Sequence, residues 1–170
     1  MRLISATQKG LITGAVMILI SLAIYYGKGN FDNQLQYITY TAYVAGILWT
    51  MITFTRQSPA VLKFGTFFSQ GFKCFIVVTL LMVLFTFIFL QTHPEFKDQM
   101  AAIYKEQLVK QGNTTPNEIE ERIKLAKKSF TPAMLMATIF SYLVIGAMVT
   151  AVSAGVIIQR KKQQAFQTKQ

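Results

Sequence analysis

Residues 74–92, CFIVVTLLMVLFTFIFLQT, run without a charge between Lys73 and His93-Pro94. In a helix these 19 residues rise about 28 Å at ~1.5 Å each, close to the hydrocarbon thickness of a bilayer. A soluble fold would have to bury such a run on every side and still supply a charged skin. With 52% hydrophobic and 14% charged residues in 170, there is little from which to build that skin. Three more uncharged runs, 10–27, 33–55 and 129–159, repeat the pattern.

The sequence therefore predicts an all-α membrane protein with four transmembrane helices, a single membrane domain over 1–170, with spans near 10–27, 34–55, 73–92 and 132–158. The first run follows Arg2 and Lys9, as a secretory signal would. It leads into Ile24-Tyr-Tyr-Gly-Lys, which lacks the small-x-small pattern of a cleavage site, so a retained span is expected. Tyr37, Tyr40 and Tyr43 cluster at the start of the second run and are expected to mark an interface, with Trp49 deeper.

Between the second and third spans, Ser58-Pro59 offers a helix start, and Val61, Phe64 and Phe68 recur at helical spacing around Lys63. One reading is an interfacial segment over 58–71, with Phe64, Phe67, Phe68 and Phe72 toward the lipid and Gly71 turning the chain at Lys73 into the third span. The other is a third span that begins near Phe64.

The substantial polar segment, 93–130, is expected to be an extracytoplasmic helical hairpin between spans three and four. Pro94 opens a pattern that aligns Phe96, Met100, Ile103, Tyr104 and Leu108 on one face, with Gly112 as its stop. Thr115-Pro-Asn-Glu118 has capping-box spacing and starts a second stripe of Ile119, Ile123, Ala126 and Phe130. Acids early and bases late in this second helix suit its dipole, and Glu118–Arg122 and Glu120–Lys124 are four apart. Lys124, Lys127 and Lys128 form either an ordinary solvated face or a basic collar for phosphate or lipid contact. Pro132 belongs near the start of the fourth span.

Charge sets the expected orientation. The amino-terminal segment, 56–73 and the carboxyl tail hold nine Lys/Arg and no acid, whereas the segments on the other side hold eight basic and seven acidic residues. The positive-inside bias then puts both termini in the cytoplasm and 93–130 in the periplasm. The net charge of +10 is thus read as membrane orientation, and no nucleic-acid partner is expected.

The chemistry of the runs is sparse. No paired carboxylates, zinc-binding histidine pattern, phosphate loop or nucleophile elbow occurs, so no catalytic, cofactor-binding or metal site is expected. His93 and Cys74 are the single members of their types; a turn and a buried thiol are expected of them. Asn113-Thr114-Thr115 matches a glycosylation sequon. The spans do contain small residues at four-residue intervals: Gly10 and Gly14; Ala42, Gly46 and Thr50; Ala147, Ala151 and Gly155. Such rows let helix backbones approach, within the protein or at a partner interface.

The segment Phe64-Gly-Thr-Phe-Phe-Ser-Gln-Gly-Phe-Lys73, between spans two and three, with a charged helical loop before span four, resembles a family of small four-span inner-membrane proteins of Bacteroidota, domain of unknown function 4199. The resemblance implies a bacterial inner membrane and four helices, and supplies no catalytic residues. Two functions are open: a non-enzymatic accessory or scaffold subunit of a cell-envelope complex, with other membrane subunits or copies of itself as partners in the lipid bilayer; or a small-molecule or lipid-linked-sugar transporter or flippase, alone or with a polyprenyl-phosphate glycosyltransferase.

Overall fold

A computed structural model describes residues 4–28, 33–57, 63–112 and 115–167. These are helical almost throughout, in five helices: α1 (Ala6–Lys28), α2 (Asn33–Gln57), α3 (Phe64–Thr92), α4 (Glu95–Gln111) and α5 (Pro116–Gln167). Four stretches are long and apolar enough to cross a membrane: Ala6–Gly27, Tyr37–Gln57, Phe64–Thr92 and Pro116–Gln164. The protein is thus a multi-span helical membrane protein by length and composition. The expected helix start at Ser58-Pro59 and the sequon residues Asn113 and Thr114 lie outside the described residues.

Of the two readings of the segment before the third span, the one that begins it near Phe64 holds: α3 is one helix from Phe64 onward, and Gly71 lies inside it without turning the chain. Its missing side chain serves packing, because a Cβ there would collide with the side chain of Thr150. Nor does Pro132 divide the loop from the last span. α5 runs 52 residues through it, about 78 Å of rise, more than twice the thickness of a bilayer core. Proline has no N–H for the Lys128 carbonyl, but both residues are exposed, where another donor can take the place of the lost bond.

The chain divides into two compact units, 1–82 with 140–170, and 83–139. The first packs α1, α2, the first part of α3 and the last part of α5. Its core is Met17, Tyr43, Ile47, Met51, Phe67 and Val78, all completely buried. The second holds the end of α3, all of α4 and the start of α5. Within it, Phe96 meets Phe130 at 6.1 Å between ring centroids and Asp98 pairs with Lys127 at 2.6 Å, so α4 and the start of α5 run antiparallel.

The helix ends of the second unit follow from local chemistry. His93 closes α3: its N–H bonds the Phe89 carbonyl at 2.9 Å and its ring stacks on Phe89 at 4.5 Å. Gly112 caps α4 in the left-handed region, φ 68°, with its N–H on the Val109 carbonyl. Only glycine adopts that conformation without a Cβ penalty. At the start of α5 the Thr115 N–H donates to the Glu118 carboxylate at 2.9 Å, and the Glu118 N–H to the Thr115 hydroxyl at 3.4 Å, a reciprocal capping box.

Candidate functional site

The first unit is built on a seam of small residues. Ala6, Lys9, Gly10, Thr13, Gly14, Met17 and Ser21 recur at three- and four-residue steps down the buried face of α1. A Cβ on Gly10 would lie 2.8 Å from the Cys74 carbonyl, and one on Gly14 would lie 2.6 Å from the Leu81 side chain, so α1 meets the backbone of α3 at Gly10 and its side chains at Gly14. Gly46 on α2 likewise leaves no room against Thr13. Ala42 is half-buried beside this row.

On α5 the tight row is Gly146, Thr150 and Ala154, one residue earlier than the spacing of Ala147, Ala151 and Gly155 proposes. Thr150 and Ala154 have no exposed surface, and Gly146 gives way to the Tyr43 hydroxyl and the Phe75 ring. Ala147 and Ala151 are half-buried, and Gly155 is exposed, with nothing within 4 Å of where its Cβ would stand. Both rows have period four, and their residues are equally small; what distinguishes the first is what packs on it, Tyr43 and Phe75 at Gly146 and Gly71 at Thr150.

Tyr43 is accordingly no interface marker. It is completely buried, donates its hydroxyl to the Tyr142 carbonyl at 2.8 Å and stands edge-on to the Tyr142 ring at 5.2 Å. Tyr37, by contrast, is 70% exposed. Several hydroxyls of the spans bond back along their own helix, as Thr50 does to Gly46 and Thr79 to Phe75. The Thr50 hydroxyl oxygen also lies 3.3 Å from the buried Cys74 sulfur, joining α2 to α3. The Thr150 hydroxyl is buried and has no hydrogen-bond partner among the described residues, an arrangement that costs about 1–3 kcal/mol.

One end of the seam carries the basic residues. Phe64, Phe68 and Phe72 form a ladder at four-residue spacing along α3, with Phe64 and Phe72 about half exposed. Phe67 points the other way, into the core, against Phe54 and beneath the Lys161 ammonium, 5.0 Å from its ring. Lys73 is exposed. Among the described residues, Lys9 is the basic one that is not on the surface. It lies in the first turn of α1, is 3% exposed, and holds its ammonium 5.8 Å from the centre of the Trp49 ring. A cation over an indole face at that distance is attracted to its quadrupole. The signal was in the spacing: Lys9 falls on the same stripe as Ala6, Gly10 and Thr13.

In the second unit Phe96, Ala101, Leu108 and Ile119 are buried. Ile103 and Tyr104, expected on the inner face of α4, are 48% and 38% exposed. Val109 and Leu125 are more exposed still, at 58% and 64%. Of the three lysines offered as a collar, Lys127 is paired with Asp98, while Lys124 and Lys128 are exposed. Glu118 directs its carboxylate back to Thr115. The Asp98 carboxyl is held below its ordinary range by the hydrogen bond and charge of Lys127, and that of Glu118 by the Thr115 N–H and hydroxyl.

A helical multi-span membrane protein, with one small-residue bundle and one charged two-helix unit, is the class these observations define. The chain belongs to the family described as protein of unknown function (DUF4199), whose sequence model matches residues 8–159. Comparison with curated proteins and with solved structures gave no match.

Proposed function

We propose that the protein is a non-enzymatic accessory or scaffold subunit of a bacterial cell-envelope complex, held in the inner membrane with both termini cytoplasmic and 93–130 in the periplasm. The observation that carries the reading is the surface of the second unit. On a pair of helices otherwise covered by charge, Ile103, Val109 and Leu125 stay about half exposed or more while only a few apolar residues close the inner face. Exposed apolar groups rimmed by charge suit a protein partner better than water.

The first unit supports the same reading over transport. Its seam is closed by glycines against side chains and by completely buried Met17, Tyr43 and Phe67, a construction that suits a rigid anchor more than a hydrated path. The test is photo-crosslinking from positions 103, 109 and 125 in native membranes. Discrete adducts that disappear when the crosslinker is moved to exposed Gln107 are expected. A chain that yields no adduct and purifies alone from mild detergent would overturn the docking role. Cysteine labelling of the same positions from outside intact cells tests the orientation.

A further inference from the structure

Lys9 poses a problem that the docking reading does not touch. Its side chain is enclosed by the first unit, yet the contact of its ammonium is the Trp49 ring, and no carboxylate pairs with it among the described residues. The sequence explains why none does. Residues 1–82 and 140–170 contain one acidic side chain, Asp32. Asp32 lies outside the described residues and is 23 positions along the chain from Lys9. A charge removed from water needs a counter-charge, and an aromatic face supplies only part of one.

The surroundings say what kind of anion would fit. Gly10 rests on the Cys74 carbonyl, so Lys9 lies at the height of Cys74 and of its exposed neighbour Lys73. Trp49 is 42% exposed at that height, so one part of its amphipathic ring is open to a ligand while the Lys9 ammonium lies over its face. Phe72 is exposed one residue further along α3. Together these make a recessed cation beside an aromatic wall, with a second lysine at the same height and no acid to repel an anion.

We propose that Lys9 is the cationic centre of a binding site for a phosphate group, carried by an anionic lipid or free in solution, with Trp49 as its wall. Lysine meets phosphate as a compact point charge with three donors, and a recessed one selects a ligand that reaches in from the membrane surface. The site stands whether or not the hairpin docks a partner.

Trp49 is the sole tryptophan and reports on the site directly. The full chain in micelles of a phosphate-free maltoside detergent is titrated with phosphatidylglycerol, with zwitterionic phosphatidylcholine, and with inorganic phosphate, while Trp49 emission is followed. A saturable change with phosphatidylglycerol and none with phosphatidylcholine is expected. The same change with inorganic phosphate would assign the site to free phosphate; no change with phosphate would assign it to the lipid. Lys9→Met should weaken the midpoint at least tenfold and Lys73→Met less than threefold. A silent Trp49 in all three titrations, or an equal loss in both variants, would overturn the site, the second result assigning binding to diffuse surface charge. If Lys9→Met does not fold, native mass spectrometry of the unmutated chain decides: equal retention of the two lipids through a detergent wash overturns the proposal, and preferential retention of phosphatidylglycerol upholds it.

Discussion

The two units handle polar groups in opposite ways. In the first, the buried polar groups of the spans are hydroxyls bonded to their own helix, one tyrosine bonded across to Tyr142, and Lys9 over Trp49, with no carboxylate on it among the described residues. Its exposed charges among those residues are basic and gathered toward the helix ends. In the second, charges are plentiful and exposed, and several are paired or used as caps, with Asp98 on Lys127, Glu106 on Lys110 and Glu118 on Thr115. The difference reflects solvent. Where lipid replaces water there is no hydrophobic gain from bringing helices together, so association rests on backbone approach and on hydrogen bonds, and glycines become the selective residues. Where water is present, capping and ion pairs adjust stability by small amounts and apolar exposure becomes the unusual feature.

The largest effects should therefore come from adding volume to the seam. Gly146→Ala puts a methyl where the Tyr43 hydroxyl and the Phe75 ring already stand. Overpacking of this kind costs about 1–3 kcal/mol, more than the roughly 1 kcal/mol that alanine gains over glycine in a helix. Gly155→Ala, on the same helix with open space around it, should be neutral or slightly stabilising. Equilibrium unfolding in mixed detergent micelles measures both. Equal effects would break the distinction between a seam and an ordinary span face.

Tyr43→Phe sharpens the same point at smaller scale. It keeps the ring against Tyr142 and removes only the 2.8 Å hydrogen bond to the Tyr142 carbonyl, so a loss of about 0.5–1.5 kcal/mol is expected in the same assay. The bond also shows where sequence reading reaches its limit. The four apolar runs, the Gly112 stop and the Thr115–Glu118 box were legible because each depends on residues near in sequence. Which row of α5 faces inward was not: 146-150-154 packs on Tyr43, Phe75 and Gly71, residues about seventy to a hundred positions away, while 147-151-155 is left to the alternative of a partner interface. Ile103 was misplaced for a related reason, since periodicity locates an apolar stripe but not how much of it a neighbour covers. Lys9 was hidden by its chemistry, as a lysine near a helix start reads as a solvated charge until its stripe is traced.

In the second unit the corresponding test is Thr115→Ala. It removes the hydroxyl that accepts the Glu118 N–H and itself donates to the Glu118 carboxylate. Loss of such a cap costs typically ~1 kcal/mol. Because the box sits at the start of α5, the expected result is fraying there, read as faster amide exchange over 115–122, while 140–160 stays protected. Faster exchange spread over all of α5 would mean that the 52-residue helix answers as a single element, and the division between the units would lose its meaning.

Acid gives the smallest effect and the one that separates the units by sign of charge. Asp98 and Glu118 both have carboxyls held below their ordinary values of 3.8 and 4.5, the first by Lys127 and the second by Thr115. A carboxyl whose pKa is depressed on folding adds stability that is fully present above its unfolded value and is lost as pH falls through the folded one. The α4–α5 pair should thus keep its stability from neutral pH down to about pH 5 and lose part of it below about pH 4. Both groups are fully exposed, so water and salt screen the contribution and the loss should be slight. Asp98→Asn should flatten the profile, and ~1 M salt should do much the same. Residues 1–82 and 140–170 hold one carboxylate, Asp32, so unfolding followed at Trp49 should be almost indifferent to this range. A Trp49 transition that moves together with the hairpin below pH 4 would show that the two units unfold as one.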